Sequence, residues 1–222
     1  NNTARIEMEN QIVEVTQQTK YPWDVKVELA ISPDKPSKFK LCLRVPGWAQ
    51  NKAVPGDLYH FLNNSENEIV LKINGKEKKY SPEEGYLIIS RKWKKGDIVE
   101  LDMPMPVRKV VAHKNVEADR DKVAIQKGPI VFCAEGIDHK DNHVLNLVYD
   151  PETILVSEYR SELLNGIQVI TGEAKSTIRL PLTLIPYHVW ANRGSGEMMV
   201  WLPTTKEVSR PLPSPTIASK SK

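Results

Sequence analysis

The chain has 222 residues, 40% hydrophobic and 27% charged, with a formal net charge of +3, enough for one large domain or two of about 100 residues each. Acids and bases are interspersed throughout, so no basic tract marks a nucleic-acid surface, and no apolar run approaches the roughly 18 residues of a membrane span. The two cysteines, Cys42 and Cys133, have neither the spacing of a CxxC metal motif nor the number for a disulfide framework.

The first residues carry no initiator methionine and no basic start followed by an apolar core, so the sequence reads as an internal piece of a longer protein. A periplasmic or secreted location follows only if that parent has a signal peptide. RIEM and QIVEVTQ form two short extended segments around the turn-prone Glu9-Asn10. Val25, Val27, Leu29 and Ile31 then share one face of a strand, and Phe39, Leu41, Leu43 and Val45 share one face of the next. That register puts Cys42 on the opposite, wetter side. Residues 51–68 read as loop, with order expected only at Leu58 to Leu62. Ile69, Leu71 and Ile73 alternate again before Asn74-Gly75, the residue pair that best fits a two-residue hairpin turn with positive φ at both positions.

Gly85 to His113 organises the chain. It reads as strand, turn and strand, with Val99, Leu101 and Met103 alternating with Glu100 and Asp102. Pro104 and Pro106 cannot donate to a sheet ladder, so one layered unit closes there and another opens at Val107. Lys122 to Gln126 and Ile130 to Glu135 are the next extended segments, around Gly128-Pro129. Pro151 to Leu164 suggests a strand followed by one short helical turn ending at Asn165-Gly166. Ile167 to Ile170, Thr177 to Leu180, Leu182 to Tyr187 and Met198 to Leu202 return to strand character. The expected fold is all-β: two consecutive antiparallel β-sandwiches, 1–106 and 107–203, with little helix, followed by a Pro-, Ser- and Lys-rich linker over 204–222.

Few side chains suggest chemistry. Asp138, His139, Asp141 and His143 contain metal-type ligands, but Lys140 sits among them and the bland reading, a solvated loop, is preferred. Glu117, Asp119, Asp121 and Glu135 include the residue type of a glycosidase carboxylate pair, yet Asp119-Arg120-Asp121 reads more simply as a charged turn. Cys133, among Ile130 to Phe132, reads as an inert packed thiol. The segment Tyr187 to Gly194 is the most distinctive. Tyr187, Trp190, Asn192 and Arg193 combine aromatic faces with planar polar groups, which suits a sugar subsite or a domain interface; the alternative is that Trp190 is core and Arg193 a surface charge.

Read together, YPWD (21–24), LRVPGWA (43–49), INGK (73–76), GYLIISRKWKKGD (85–97), MPMPVR (103–108), ADRDKVAIQKGPIVFCAE (118–135) and IPYHVWANRGSGEMMVWLP (185–203) resemble glycoside hydrolase family 127, which includes β-L-arabinofuranosidases. The resemblance covers about residues 10–203. It implies a parent that begins with an (α/α)6 barrel carrying a catalytic glutamate, a cysteine nucleophile and a zinc held by glutamate and cysteines, with two β-sandwiches after it. This sequence is similar to those sandwiches alone. Neither cysteine matches the family's adjacent-cysteine motif, so the resemblance transfers no catalytic or metal residue here. It implies instead a non-catalytic fragment of an arabinofuranosidase-like glycoside hydrolase, inactive by itself and without a cofactor, zinc being expected only in the barrel. Its expected partners are that N-terminal (α/α)6 domain and, because the tail resembles linkers in longer relatives, a further C-terminal carbohydrate-binding domain. The competing function is a stand-alone carbohydrate-binding module using the Tyr187 to Arg193 loop. The family commonly has glycine where this chain has Val25 and Asp121; a β-branched valine resists positive φ, so the turn at Asp24 is expected to take another form.

Overall fold

A computed structural model describes residues 1–8, 10–66, 68–175 and 179–209. The protein is all-β, and among the described residues the longest helical segment is the four-residue 3-10 turn Gly47–Gln50. Chain contacts divide it into two compact units, one of Asn1–Pro106 with Lys127–Pro129, the other of Val107–Gln126 with the residues from Ile130 onward.

The first unit holds β1 (Asn2–Met8), β2 (Gln11–Thr19), β3 (Lys26–Pro33), β4 (Ser37–Arg44), β5 (Tyr59–Phe61), β6 (Val70–Ile73), β7 (Lys76–Lys78), β8 (Tyr86–Trp93) and β9 (Asp97–Asp102). One antiparallel sheet runs in the order β1-β2-β3-β9-β6-β7, and β4 pairs with β8 in a separate one. The alternation in the sequence fixes how they face. Val13, Leu29, Ile31, Leu71, Ile73, Val99 and Leu101 of the large sheet pack against Leu43, Leu87, Ile89 and Trp93 of the small one, a sandwich in which each buried large side chain contributes about 1.5–3 kcal/mol relative to exposure. Trp93 is fully buried, and its indole N–H donates to the Phe39 carbonyl at 3.2 Å, so its one polar atom is satisfied. Cys42 is exposed, as its place on the outer face of β4 requires.

Two turns of this unit are tied by a buried carboxylate. Asn74 and Gly75 have φ of 50° and 73°, the left-handed pair the hairpin demands. The Asn74 amide donates to Asp97 Oδ1 at 2.8 Å and its carbonyl oxygen accepts the Ile98 N–H at 2.8 Å. Asp97 Oδ2 accepts the Lys94 N–H at 3.0 Å and lies 3.7 Å from the Arg91 guanidinium. Burial alone would raise the Asp97 pKa, but these partners outweigh it and hold the carboxyl below its ordinary value.

The second unit holds β10 (Val107–Ala112), β11 (Lys122–Lys127), β12 (Ile130–Glu135), β13 (Val148–Tyr149), β14 (Val156–Arg160), β15 (Ile167–Lys175), β16 (Arg179–Pro186), β17 (Met198–Met199) and β18 (Leu202–Pro203). Within the unit the main strand order is β13-β15-β16-β12-β11-β10, with β14 on β15, β17 on β12 and β18 on β11. In β11 and β12 nearly every interior residue is buried, on both faces. One of those faces packs Cys133 with Ile167, Val169 and Ile185.

The structure departs from the sequence reading at one turn. The helical turn expected before Asn165-Gly166 is absent: Leu164, Asn165 and Gly166 have φ of 49°, 64° and 96°, and successive left-handed residues cannot continue a right-handed helix. At the end of the second sandwich Lys122 pairs with Pro203 and Thr204 N donates to the Asp121 carbonyl at 2.8 Å; residues 210–222 of the expected linker lie outside those described. Thr177, expected at the start of a strand, is outside them as well. Asp121 takes a φ of 55°, whereas Val25 is not among the residues with positive φ. The two positions diverge as the branching of valine requires.

Candidate functional site

The second unit gathers a polar cluster where β12 ends. The chain leaves β12 at Glu135 into the 3-10 turns Gly136–Asp138 and Lys140–Asn142. From β16 it passes through the 3-10 turn Tyr187–Val189 and a glycine-containing loop before returning as β17, which pairs Met198 with Glu135 and Met199 with Ala134. That pairing carries residues 190–197 back over the end of β12. A second backbone bond, Gly136 N–H to the Glu197 carbonyl at 2.8 Å, closes the return. Gly136 has to be glycine, since a Cβ there would lie 2.3 Å from the Asn142 carbonyl oxygen.

Arg193 is the centre of the cluster. One terminal nitrogen donates to Asp138 Oδ1 at 2.7 Å, and the other donates to Asp138 Oδ2 at 2.5 Å and to Glu135 Oε2. The side chains of Arg193, Glu135 and Asp138 are 18%, 5% and 16% exposed. The remaining Glu135 oxygen accepts the Ala191 N–H at 2.7 Å. These bonds, first that with Asp138, raise the guanidinium pKa above its ordinary value despite burial. A fork-to-fork ion pair of this kind is fixed in geometry and depends on both partners remaining charged.

His139 and His143 are each engaged by different groups. The His139 Nδ1 is 2.7 Å from the Glu135 carbonyl oxygen, and its Nε2 is 3.3 Å from the Thr183 N–H. A carbonyl only accepts and an amide N–H only donates, so this ring is neutral with its proton on Nδ1. Burial correspondingly lowers its pKa. His143 Nδ1 lies 3.0 Å from Glu197 Oε1, while Glu197 Oε2 accepts the N–H groups of Val144 and Leu145 at 2.9 and 3.3 Å. Burial opposes ionisation of Glu197, but the bonds from His143, Val144 and Leu145 prevail and lower its pKa.

The residues singled out from sequence are thus divided among several tasks. Arg193 sits in the ion-pair cluster. Trp190, 40% exposed, stacks on Tyr187, 47% exposed, with ring centroids 6.3 Å apart and planes within 5°. The Asn192 amide donates to the Val189 carbonyl at 3.0 Å and fixes the loop. All four lie between β16 and β17, in a connection and not in a central strand. Asp138, His139, Asp141 and His143 do not converge, and among the described residues no group of three or more His, Cys, Asp or Glu side chains is placed to hold a metal ion. Nor do the cysteines suit the zinc that the resemblance implies: Cys133 is fully buried with its thiol pushed up to about 12 by burial and by Glu135, and Cys42 lies exposed in the other unit. Asp121 ends a turn that its own carbonyl ties to Thr204, and Arg120 lies 3.8 Å from Glu117, which leaves Glu135 alone of the four weighed carboxylates in the cluster. The pairing of Glu135 and Asp138 with Arg193 was not legible from the sequence; the signal present was a glutamate ending an otherwise apolar strand, which demands a partner when buried.

Comparison with known proteins bears on what this assembly belongs to. The description "Beta-L-arabinofuranosidase, GH127 middle domain" matches residues 1–105, and "Glycoside hydrolase family 127 C-terminal domain" matches residues 107–203. The chain is 28% identical over 215 residues to the non-reducing end β-L-arabinofuranosidase of Bifidobacterium longum subsp. longum, a match that covers 84% of this chain and 30% of that one. Among solved structures, a GH127 β-arabinofuranosidase is 36% identical with a TM-score of 0.88, over 94% of this chain and 34% of its own. A GH127 β-L-arabinofuranosidase from Geobacillus stearothermophilus T6 is 34% identical with a TM-score of 0.77, over 90% and 32%. The chain therefore spans about a third of the length of these relatives. It belongs to glycoside hydrolase family 127, as the middle and C-terminal domains of that family.

Proposed function

We propose that these two units are a non-catalytic accessory region of a β-L-arabinofuranosidase-type glycoside hydrolase, which works beside a separate catalytic domain of the family. The observation that carries this reading is the fork of Arg193 onto Glu135 and Asp138. A glycosidase needs one carboxyl to deliver a proton and a second group to attack or activate water. The two buried carboxylates of this cluster instead clasp one guanidinium, and both nitrogens of the neighbouring His139 are bonded to backbone. The cluster stiffens a fold; neither carboxylate of the fork nor His139 is free to exchange a proton with a substrate. Zinc and the reacting groups belong, on this reading, to the catalytic domain.

Contact with that domain is supported by the apolar surface on and beside β14. Ile154 and Val156, two residues apart, are 82% and 57% exposed, and among the described residues β14 is paired only to β15, an apolar edge of the sort an adjoining domain covers. A chromogenic β-L-arabinofuranoside assay tests the reading. The chain alone is expected to give no turnover above buffer, and the complete polypeptide, carrying Ile154→Asp, is expected to melt earlier than its parent while the isolated chain melts unchanged. Turnover by the repurified chain, lost on Glu135→Gln, would overturn the proposal.

A further inference from the structure

Beside the ion-pair cluster lies a cavity of about 170 Å³, walled by Trp190 and Ile137, floored by Glu135 and Arg193, and rimmed by Asn142 and the Gly194 to Glu197 turn. It is smaller than the roughly 300–1,000 Å³ of sites for drug-sized molecules, and suits a single small ring. Its charged groups are already committed. Glu135 holds Arg193 and the Ala191 N–H, Glu197 holds His143 and two backbone N–H groups, and Arg193 holds two carboxylates. An anionic ligand therefore meets no uncommitted cation, since the one guanidinium is already shared by two carboxylates. What stands outside that network is neutral and two-way: the Asn142 amide and the Ser195 hydroxyl, both exposed at the rim, each able to donate and to accept. The aromatic wall is exposed, and its indole is held flat against Tyr187.

We propose that this cavity is a subsite for one neutral sugar residue, with the C–H face of the ring on Trp190 and its hydroxyls on Asn142 and Ser195. Aromatic faces bury apolar C–H surface while the adjoining neutral groups select for hydroxyls. The wall and floor are locked before binding by the stack and the ion pairs, so the ligand loses little affinity to ordering them. The inference rests on reading the chain as part of a glycoside hydrolase, and it assigns to the second unit a role in holding saccharide without cleaving it.

Gly196 gives a clean test. It is not held at positive φ, and a Cβ there would meet nothing within 4 Å, so Gly196→Leu adds apolar bulk to the lining at a position whose backbone accepts a side chain. Asn142 has a φ of 58°, so Asn142→Gly removes the amide and keeps the backbone. Nitrogen–proton spectra of the chain would be titrated with L-arabinose and with methyl β-L-arabinofuranoside, glycerol serving as the control polyol. Saturable shifts of the Trp190 indole N–H and the Asn142 amide, in the millimolar range, are expected with the sugars and not with glycerol. Gly196→Leu and Trp190→Ala should each weaken binding at least about tenfold, the equivalent of ~1.4 kcal/mol, and Asn142→Gly somewhat less. No saturation, or saturation undiminished in the folded Gly196→Leu variant, would overturn the subsite. Either result leaves the hydrolysis assay unaffected, so failure here and failure of the accessory reading are told apart.

Discussion

Each unit buries a carboxylate, but the two do so for different reasons. In the first, strands alternate buried and open residues, as in β9, and Asp97 sits at a turn, where its oxygens gather donors from Asn74 and Lys94 nearby. In the second, β11 and β12 are buried on both faces, so Glu135 cannot turn to water and takes its countercharge from a loop far along the chain. In the half-wet sheet the buried carboxylate is met chiefly by neutral donors at two adjoining turns, with a partly exposed Arg91 3.7 Å away. A sheet covered on both sides must import a cation, and the walls built to hold that cation become a cavity.

The largest expected difference between the units follows from removing that cation. Arg193→Met leaves two largely buried carboxylates without a partner and should cost about 3–5 kcal/mol, read by urea denaturation. Adding Glu135→Gln and Asp138→Asn should restore a substantial part. If the triple variant were no more stable than Arg193→Met, the loss would be one of packing and not of charge. Asp97→Ala should cost less, about 1–3 kcal/mol, because the donors it strands are hydrogen-bonding groups at a turn and not buried charges. A loss as large as that of Arg193→Met would remove the distinction drawn between the units.

The smallest effect is a pH dependence confined to the second unit. His139 has a folded pKa below its ordinary value of 6.5, so between the two values the unfolded chain binds the additional proton. Its contribution to stability is complete above pH 6.5 and is lost as pH falls through the folded value, since a proton on Nε2 would face the Thr183 N–H. Thermal melts from neutral to mildly acidic pH should show this decline, and His139→Gln should flatten it. A decline of equal slope in that variant would place its origin elsewhere, for instance in Glu197, whose lowered pKa delays its own loss to below about pH 4.5.

The sequence was most informative where the period of two held. Val99 and Leu101, Leu41 and Leu43, and the Asn74-Gly75 turn take their positions from local chemistry, and each could be read from a few neighbouring residues. In β12 the alternation disappears because both faces are covered, and an apolar run then says nothing about which side meets what. Arg193 looked like a residue for a partner because a guanidinium beside a tryptophan is as common at interfaces as in ion pairs. Only the return of β17 to Ala134 and Glu135 decides between them, and strand pairing over such a separation leaves no mark in composition. Leu164 to Gly166 misled for the opposite reason: Asn-Gly closes helices and tight turns alike.

The Arg193 fork has a consequence in time. Its donor and the Glu135 oxygen it serves are 58 residues apart in sequence. At synthesis rates of ~5–20 residues per second, the carboxylate emerges from the ribosome roughly 3 to 12 seconds before its countercharge. During that interval β12 can pair with β11 behind it, but the end that carries Glu135 must stay hydrated. The last strands to be made therefore act as the closing step for the whole second unit, and a chain halted before residue 193 would leave an apolar strand with an open, charged end.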